Sequence, residues 1–120
     1  MIKQAIIPLA GQGTRLLPLT SVFSKELLPI NGKPGIEYIL DECIDAGIKE
    51  VIFIISKKKE MIKKYFYSDA LFKKTIKKKK DSRILKEYKK ILKYKKMIKF
   101  VYQNKPTGTG DAVLKTKKLI

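Results

Sequence analysis

The sequence predicts an α/β fold on a mainly parallel sheet, and three observations carry that prediction. An apolar run at residues 3–9, KQAIIPL, leads into a pair of glycines. Apolar side chains then recur at helical spacing from Ile36 to Ile44, and a continuous β-branched and aromatic run, EVIFII, occupies Glu50 to Ile55. Strand, helix and strand within about 50 residues make a crossover between parallel neighbours, with a right-handed connection expected.

Residues 3–9 read as a buried strand, with Pro8, which cannot donate to a ladder, belonging near its end. The helix starts just after Pro34, carries Ile36, Ile39, Leu40, Cys43 and Ile44 on one face, and stops at Gly47, a terminating residue type. Glu50 to Ile55 is too short for a helix with its own face and forms the second buried strand. From 57 to 96 the chain is lysine-rich and mostly helical. Ile62, Tyr65 and Phe66 give one apolar face there and Leu85, Tyr88 and Leu92 another, while Ser68 to Asp81 takes no assignment. MIKFVYQ, Met97 to Gln103, reads as a third strand, followed by the turn NKPTGTG and a last helix from about Asp111. No internal repeat is visible. A three-stranded sheet ending in a helix lacks its natural successor, because doubly wound sheets commonly use five or more strands. The expectation is therefore part of a doubly wound, Rossmann-like sheet, continued in a longer protein or stabilised from outside.

Composition narrows the function classes. At 120 residues, 44% of them hydrophobic, the chain fits one domain or part of one and has material for a core. No apolar run approaches the roughly 18 residues of a membrane span, and MIKQAIIPLAGQG enters a glycine loop where a secretory signal needs a cleavage site. A cytoplasmic protein is expected. Cys43, alone, forms no internal disulfide and reads as a packed helix residue. The net charge of +17 raises nucleic acid as a partner. Yet Arg15 and Arg83 are the only arginines among 28 basic residues, whereas base and phosphate readers lean on Arg forks. The basic runs at 57–59, 77–80 and 93–96 also lack aromatics in a stacking pattern, so they read as solvated faces and nucleic acid is not the expected partner.

Gly11 and Gly13 sit where the first strand turns outward, and glycine lets backbone amides approach a ligand closely, phosphate above all. The dinucleotide fingerprint fails here, because Leu16 stands where its third small residue belongs and no acidic residue closes the second strand at Ser56. A Walker loop fails as well, since only Gln12 separates the glycines. What remains is Gly-x-Gly-Thr-Arg, then Pro18, Thr20, Lys25 and LLPI. An Arg two residues after the glycines can clamp a triphosphate with two parallel bonds, and Lys25 can add a second cation.

The pattern G-x-G-T-R-x-x-P-x-T followed by K-x-x-L-P-I resembles the sugar nucleotidyltransferases, which join a nucleoside triphosphate to a sugar 1-phosphate and release pyrophosphate. Within that family KELLPINGKPGIEYILDECIDAGIKEVIFI and GTGDAVL look most like the bacterial uridylyltransferase branch, which uses UTP and glucose 1-phosphate. The likeness covers residues 3 to 120 and is weakest in the lysine-rich middle. It implies that residues 1–120 are the nucleotide-binding N-terminal portion of a single nucleotidyltransferase domain of the nucleotide-diphospho-sugar transferase type.

Carried over by position, the resemblance gives Ala10 and Gly11 backbone contacts to uracil and ribose and sets Gly13 and Thr14 beside the phosphates. Arg15 would hold the departing end of the triphosphate and Lys25 the phosphate oxygens. Glu26 and Gln103 would read the uracil edge, with backbone help at Gly108. It also implies Mg²⁺ whose Asp ligand, like the sugar-contacting residues, follows residue 120, so the 120-residue piece alone is expected to be inactive. A homo-oligomer is expected for the complete protein. Glu26 favours uracil, since thymidylyltransferases carry Gln there. Ser24, where uridine-using members usually have Pro, keeps thymidine as the alternative. A non-catalytic basic remnant is the rival from another class. Pro18 and Thr20 read as fixing the loop's path and Asp111 as a first-turn acidic residue.

Overall fold

The computed structural model describes residues 2–9, 14–19, 23–78 and 81–103. Three strands, β1 (Gln4–Pro8), β4 (Glu50–Ile55) and β5 (Ile98–Tyr102), form a parallel sheet in the order β1-β4-β5. Each crossover therefore steps to the next strand in the same direction. Between β1 and β4 come a short antiparallel hairpin, β2 (Pro29–Ile30) with β3 (Lys33–Pro34), and helix α1 (Gly35–Asp45). Between β4 and β5 stand α2 (Glu60–Tyr67), α3 (Ala70–Lys78) and α4 (Ser82–Met97).

The central strand explains the layering. Val51 to Ile55 are all inaccessible to solvent, as befits a parallel strand covered on both faces. One face supplies Val51, Phe53 and Ile55 to a core completed by Ile36 and Leu40 of α1, Ile62 and Phe66 of α2, and Ile91 and Tyr94 of α4. The three helices thus lie on the same side of the sheet. Ile98 of β5 and Leu9 after β1 extend that core along the neighbouring strands. Burial of this kind supplies about 25 cal/mol per Å² of apolar surface, the largest favourable contribution to holding such a layer together.

The expected α/β class and the three parallel strands are observed, with Pro8 ending β1. Gly47 follows α1 with φ +82°, a left-handed conformation that glycine adopts without a side-chain clash. Three local features differ from the sequence reading. The hairpin was not anticipated: Asn31 and Gly32, at φ 52° and 77°, form the two-residue turn that an Asn-Gly pair favours. The unassigned stretch contains α3, whose Phe72 ring lies 5.6 Å from that of Tyr88 on α4. Met97 ends α4 rather than starting the strand, so helix passes into strand at Ile98 without a loop. The turn after Gln103 and the last helix fall outside the described residues.

Candidate functional site

The site is built where the three strands end. The amide of Leu9 donates to the Ile54 carbonyl at 2.7 Å, and that of Gln103 to the Ile55 carbonyl at 2.8 Å. Ser56 leads from β4 into a one-turn 3₁₀ helix, Lys57–Lys59, closed by the Lys59 amide on the Ser56 carbonyl at 2.9 Å. Three segments therefore leave the sheet together at its carboxyl edge, the place where open α/β sheets receive ligands.

Ala10, Gly11, Gly13 and Gly108 lie outside the described residues, as do Thr20 and Asp111. Thr14 opens a 3₁₀ turn, Thr14–Leu16, which presents Arg15 to solvent. A second such turn, Lys25–Leu27, divides its first two residues by environment: Lys25 is exposed and Glu26 is 7% exposed. Neither Arg15 nor Lys25 forms an ion pair among the described residues, so both cations face solvent available to an anion. The amide of Gly35, at the start of α1, donates to the Leu28 carbonyl at 3.2 Å and ties this turn to the helix. Ser24 is buried, with φ −68° and ψ 131°, and its amide donates to Met61 Sδ at 3.2 Å. That φ is one a proline ring also adopts, so the Ser24 departure leaves the chain's path compatible with Pro.

Glu26 is held from across the site. Lys59 Nζ donates to Glu26 Oε1 at 2.8 Å, and the two side chains are only 9% and 6% exposed. This corrects the reading of residues 57–59 as a solvated face: Lys57 and Lys58 are exposed, but Lys59 turns inward because a buried carboxylate awaits it. Gln103 is also buried, at 5%. Glu26, Gln103 and Lys59, with Ser24, are thus buried polar residues of this edge among the described residues, and Lys59 is the one sequence reasoning missed. Nothing in the run Lys57–Lys59 separates it from its two exposed neighbours by sequence.

Behind the site, α1 carries a polar seam within the core. Glu37, 1% exposed, accepts a short hydrogen bond from the Tyr65 hydroxyl, and its Oε1 meets the Lys90 ammonium at 2.9 Å as an ion pair. One turn on, Asp41 accepts from the Tyr94 hydroxyl at 2.6 Å and from Lys33. Burial opposes ionisation of Asp41, but the Lys33 and Tyr94 hydrogen bonds outweigh it and hold its carboxyl below the usual range. Burial first, then the Glu37 and Asp41 carboxylates, push the Tyr65 and Tyr94 hydroxyls well above the usual tyrosine value. Burial likewise raises the Cys43 thiol, an inert packed residue rather than a nucleophile.

Among the described residues no group of three or more His, Cys, Asp or Glu side chains forms a metal site, and no helix is long and apolar enough to cross a membrane. What the edge offers is exposed Lys25 next to buried Glu26, with Gln103 buried at the end of β5.

A family model described as nucleotidyl transferase matches residues 4–120. The chain is 41% identical over 119 residues to UTP–glucose-1-phosphate uridylyltransferase of Mycoplasma pneumoniae, covering 99% of the chain and 40% of that protein. Its fold is similar to that of a UTP-bound UGPase from Acinetobacter baumannii, with a TM-score of 0.89 and 35% identity, covering 99% of the chain and 42% of that structure. It is also similar to a UDP-glucose pyrophosphorylase complexed with UDP-glucose, with a TM-score of 0.72 and 33% identity, covering the whole chain and 42% of that one. The chain therefore spans about two fifths of the length of these relatives.

Proposed function

The chain belongs to the nucleotidyl transferase family, and on that premise we propose that the natural protein joins UTP to glucose 1-phosphate, giving UDP-glucose and pyrophosphate. The reading is supported by relatives named for that activity and by solved structures holding UTP or UDP-glucose. The observation that carries it is the turn that sets exposed Lys25 next to buried Glu26 and is tied through Lys59 to the carboxyl end of β4, where Gln103 is also buried.

In this mechanism an oxygen of the sugar phosphate attacks the α-phosphorus in line. The bond from that phosphorus to the bridging oxygen breaks, and pyrophosphate carries the electron pair away. Such a step asks for alignment and charge neutralisation more than for a proton-transfer group. Arg15, with its planar fork, grips the departing pyrophosphate. Lys25 neutralises charge growing on the phosphate oxygens. Backbone at Ala10, Gly11 and Gly108 seats base and ribose, and Gly13 and Thr14 flank the phosphates. Glu26 and Gln103 face the base edge.

Mg²⁺ is the divalent cation we propose for the whole protein, where it would shield the triphosphate. The described residues offer no cluster of acidic, His or Cys side chains to hold it. A cytoplasmic homo-oligomer completes the proposal.

The test is direct: incubate the natural protein with UTP, glucose 1-phosphate and Mg²⁺ and follow UDP-glucose and pyrophosphate. Formation of both supports the reading. Turnover confined to dTTP moves the protein to the thymidylyltransferase branch, and absence of nucleotide binding overturns the reading altogether.

A further inference from the structure

The buried pair of Lys59 and Glu26 calls for an explanation of its own, since two charges taken out of water gain little net stability over an apolar pair of similar size. Lys59 follows the central strand, Glu26 sits on the 3₁₀ turn Lys25–Leu27, and 33 residues separate them in sequence. Their contact therefore fixes one wall of the site against another. Within it the ammonium occupies Oε1, and among the described residues Oε2 receives no hydrogen bond.

From this arrangement we propose that Lys59 is a positioning residue for base selection. It locks Glu26 in one orientation, with Oε2 left to face the base. A carboxylate is acceptor-only, so it pairs with a pyrimidine whose ring nitrogen N3 carries a proton. Uracil and thymine have that N–H, whereas cytosine presents a lone pair at the same place and leaves two acceptors opposed. A site that must hydrogen-bond a donor rejects the analogue lacking it more strongly than shape alone does. Lys59 thereby turns a flexible acid into a fixed test for an imino proton. The inference rests on the proposed binding of a pyrimidine nucleoside triphosphate at this edge.

Calorimetry and steady-state kinetics of the natural protein and its variants test it, with UTP and CTP as probes. Lys59→Met is expected to weaken UTP binding about tenfold, the scale of one charge-assisted hydrogen bond, and to shrink the UTP-over-CTP preference. Turnover at saturating UTP should change little, because Lys59 does not touch the reacting phosphates. Lys59→Arg should restore most of the preference. Where Lys59→Met fails to fold because Glu26 is left buried and unpaired, the Lys59→Met/Glu26→Gln double variant removes that charge. It is expected to fold, bind UTP weakly and discriminate poorly, since an amide offers donor and acceptor alike. Wild-type UTP affinity and an unchanged UTP:CTP ratio in Lys59→Met, with only a lowered melting temperature, overturn the role of Lys59 and leave the site reading intact, whereas the same result in the double variant overturns the role of Lys59 and removes Glu26 from the base edge as well. A wild-type protein that binds no UTP overturns the reading itself, and the proposal with it.

Discussion

Arg15 and Lys25 lie in solvent on one-turn helices, so little of the fold depends on them, and exposed substitutions of this kind shift stability by no more than about 0.5 kcal/mol. Their proposed contribution is to charge that grows during reaction, where losing one stabilising group costs roughly a hundredfold in kcat. Arg15→Ala and Lys25→Ala are accordingly expected to melt with the wild type and turn over about a hundredfold more slowly. Melting curves beside initial rates check this, and wild-type rates in both variants would remove these residues from the mechanism. Ser24 supports a second expectation. Its φ of −68° matches a proline ring, so Ser24→Pro loses only a weak N–H to sulfur bond and should keep both fold and base preference, read by melting and by UTP against dTTP rates. At this scale the spacing of the loop motif pointed to Arg15 and Lys25, while Glu26 came from the family resemblance alone. Lys59 was hidden, because in a lysine-rich chain composition treats every lysine alike while burial is decided by a partner 33 residues away.

Among elements, the hairpin bears most directly on the site. Its Asn31-Gly32 turn sets the approach to α1, and the Gly35 amide on the Leu28 carbonyl passes that geometry to the turn carrying Lys25 and Glu26. A Cβ at Gly32 would meet nothing within 4 Å, so the cost of Gly32→Ala is backbone conformation alone, about 1 kcal/mol. Denaturant midpoints should register that loss, and an unchanged midpoint would mean that the turn tolerates a side chain at φ 77°. The long apolar signals, β1, α1, β4 and β5, were legible because one residue pattern sets each of them. Helix α3 was not, since its burial comes from single contacts such as Phe72 on Tyr88 and none of its residues is fully buried. The start of α4 carried a readable cue in Asp81, whose carboxylate accepts from the Arg83 amide at 2.9 Å.

For the molecule as a whole, the polar seam linking α1, α2 and α4, together with Glu50 on β4, makes stability depend on pH at both ends. Asp41 and Glu50 have carboxyls lowered in the folded state. For Asp41 burial is outweighed by Lys33 and Tyr94, and for Glu50 Gln4 and then Lys99 supply the pull. Their contribution is present above the ordinary carboxylate values of 3.8 and 4.5 and is lost as pH falls through the lower folded values. Tyr65 and Tyr94 are raised above 10.0, and Lys33 and Lys90 above 10.5. For these four, stability is complete below the ordinary value and is lost as pH climbs through the higher folded one, so they all weaken the fold in the same alkaline direction. The expected profile is a plateau between about pH 5 and pH 10 with a fall on either side. Tyr94→Phe isolates the cause. Without the hydroxyl, Asp41 loses a donor and should weaken the fold at neutral pH by about 1 to 3 kcal/mol, while one contributor to the alkaline fall disappears. Denaturant midpoints across pH, followed beside phenolate absorbance, read both effects at once. Tyr65 and Tyr94 should resist ionisation until the chain unfolds, and in the variant Tyr65 keeps that behaviour. Identical alkaline limbs in wild type and variant would place the pH dependence outside this seam and leave its hydroxyls as packing groups alone.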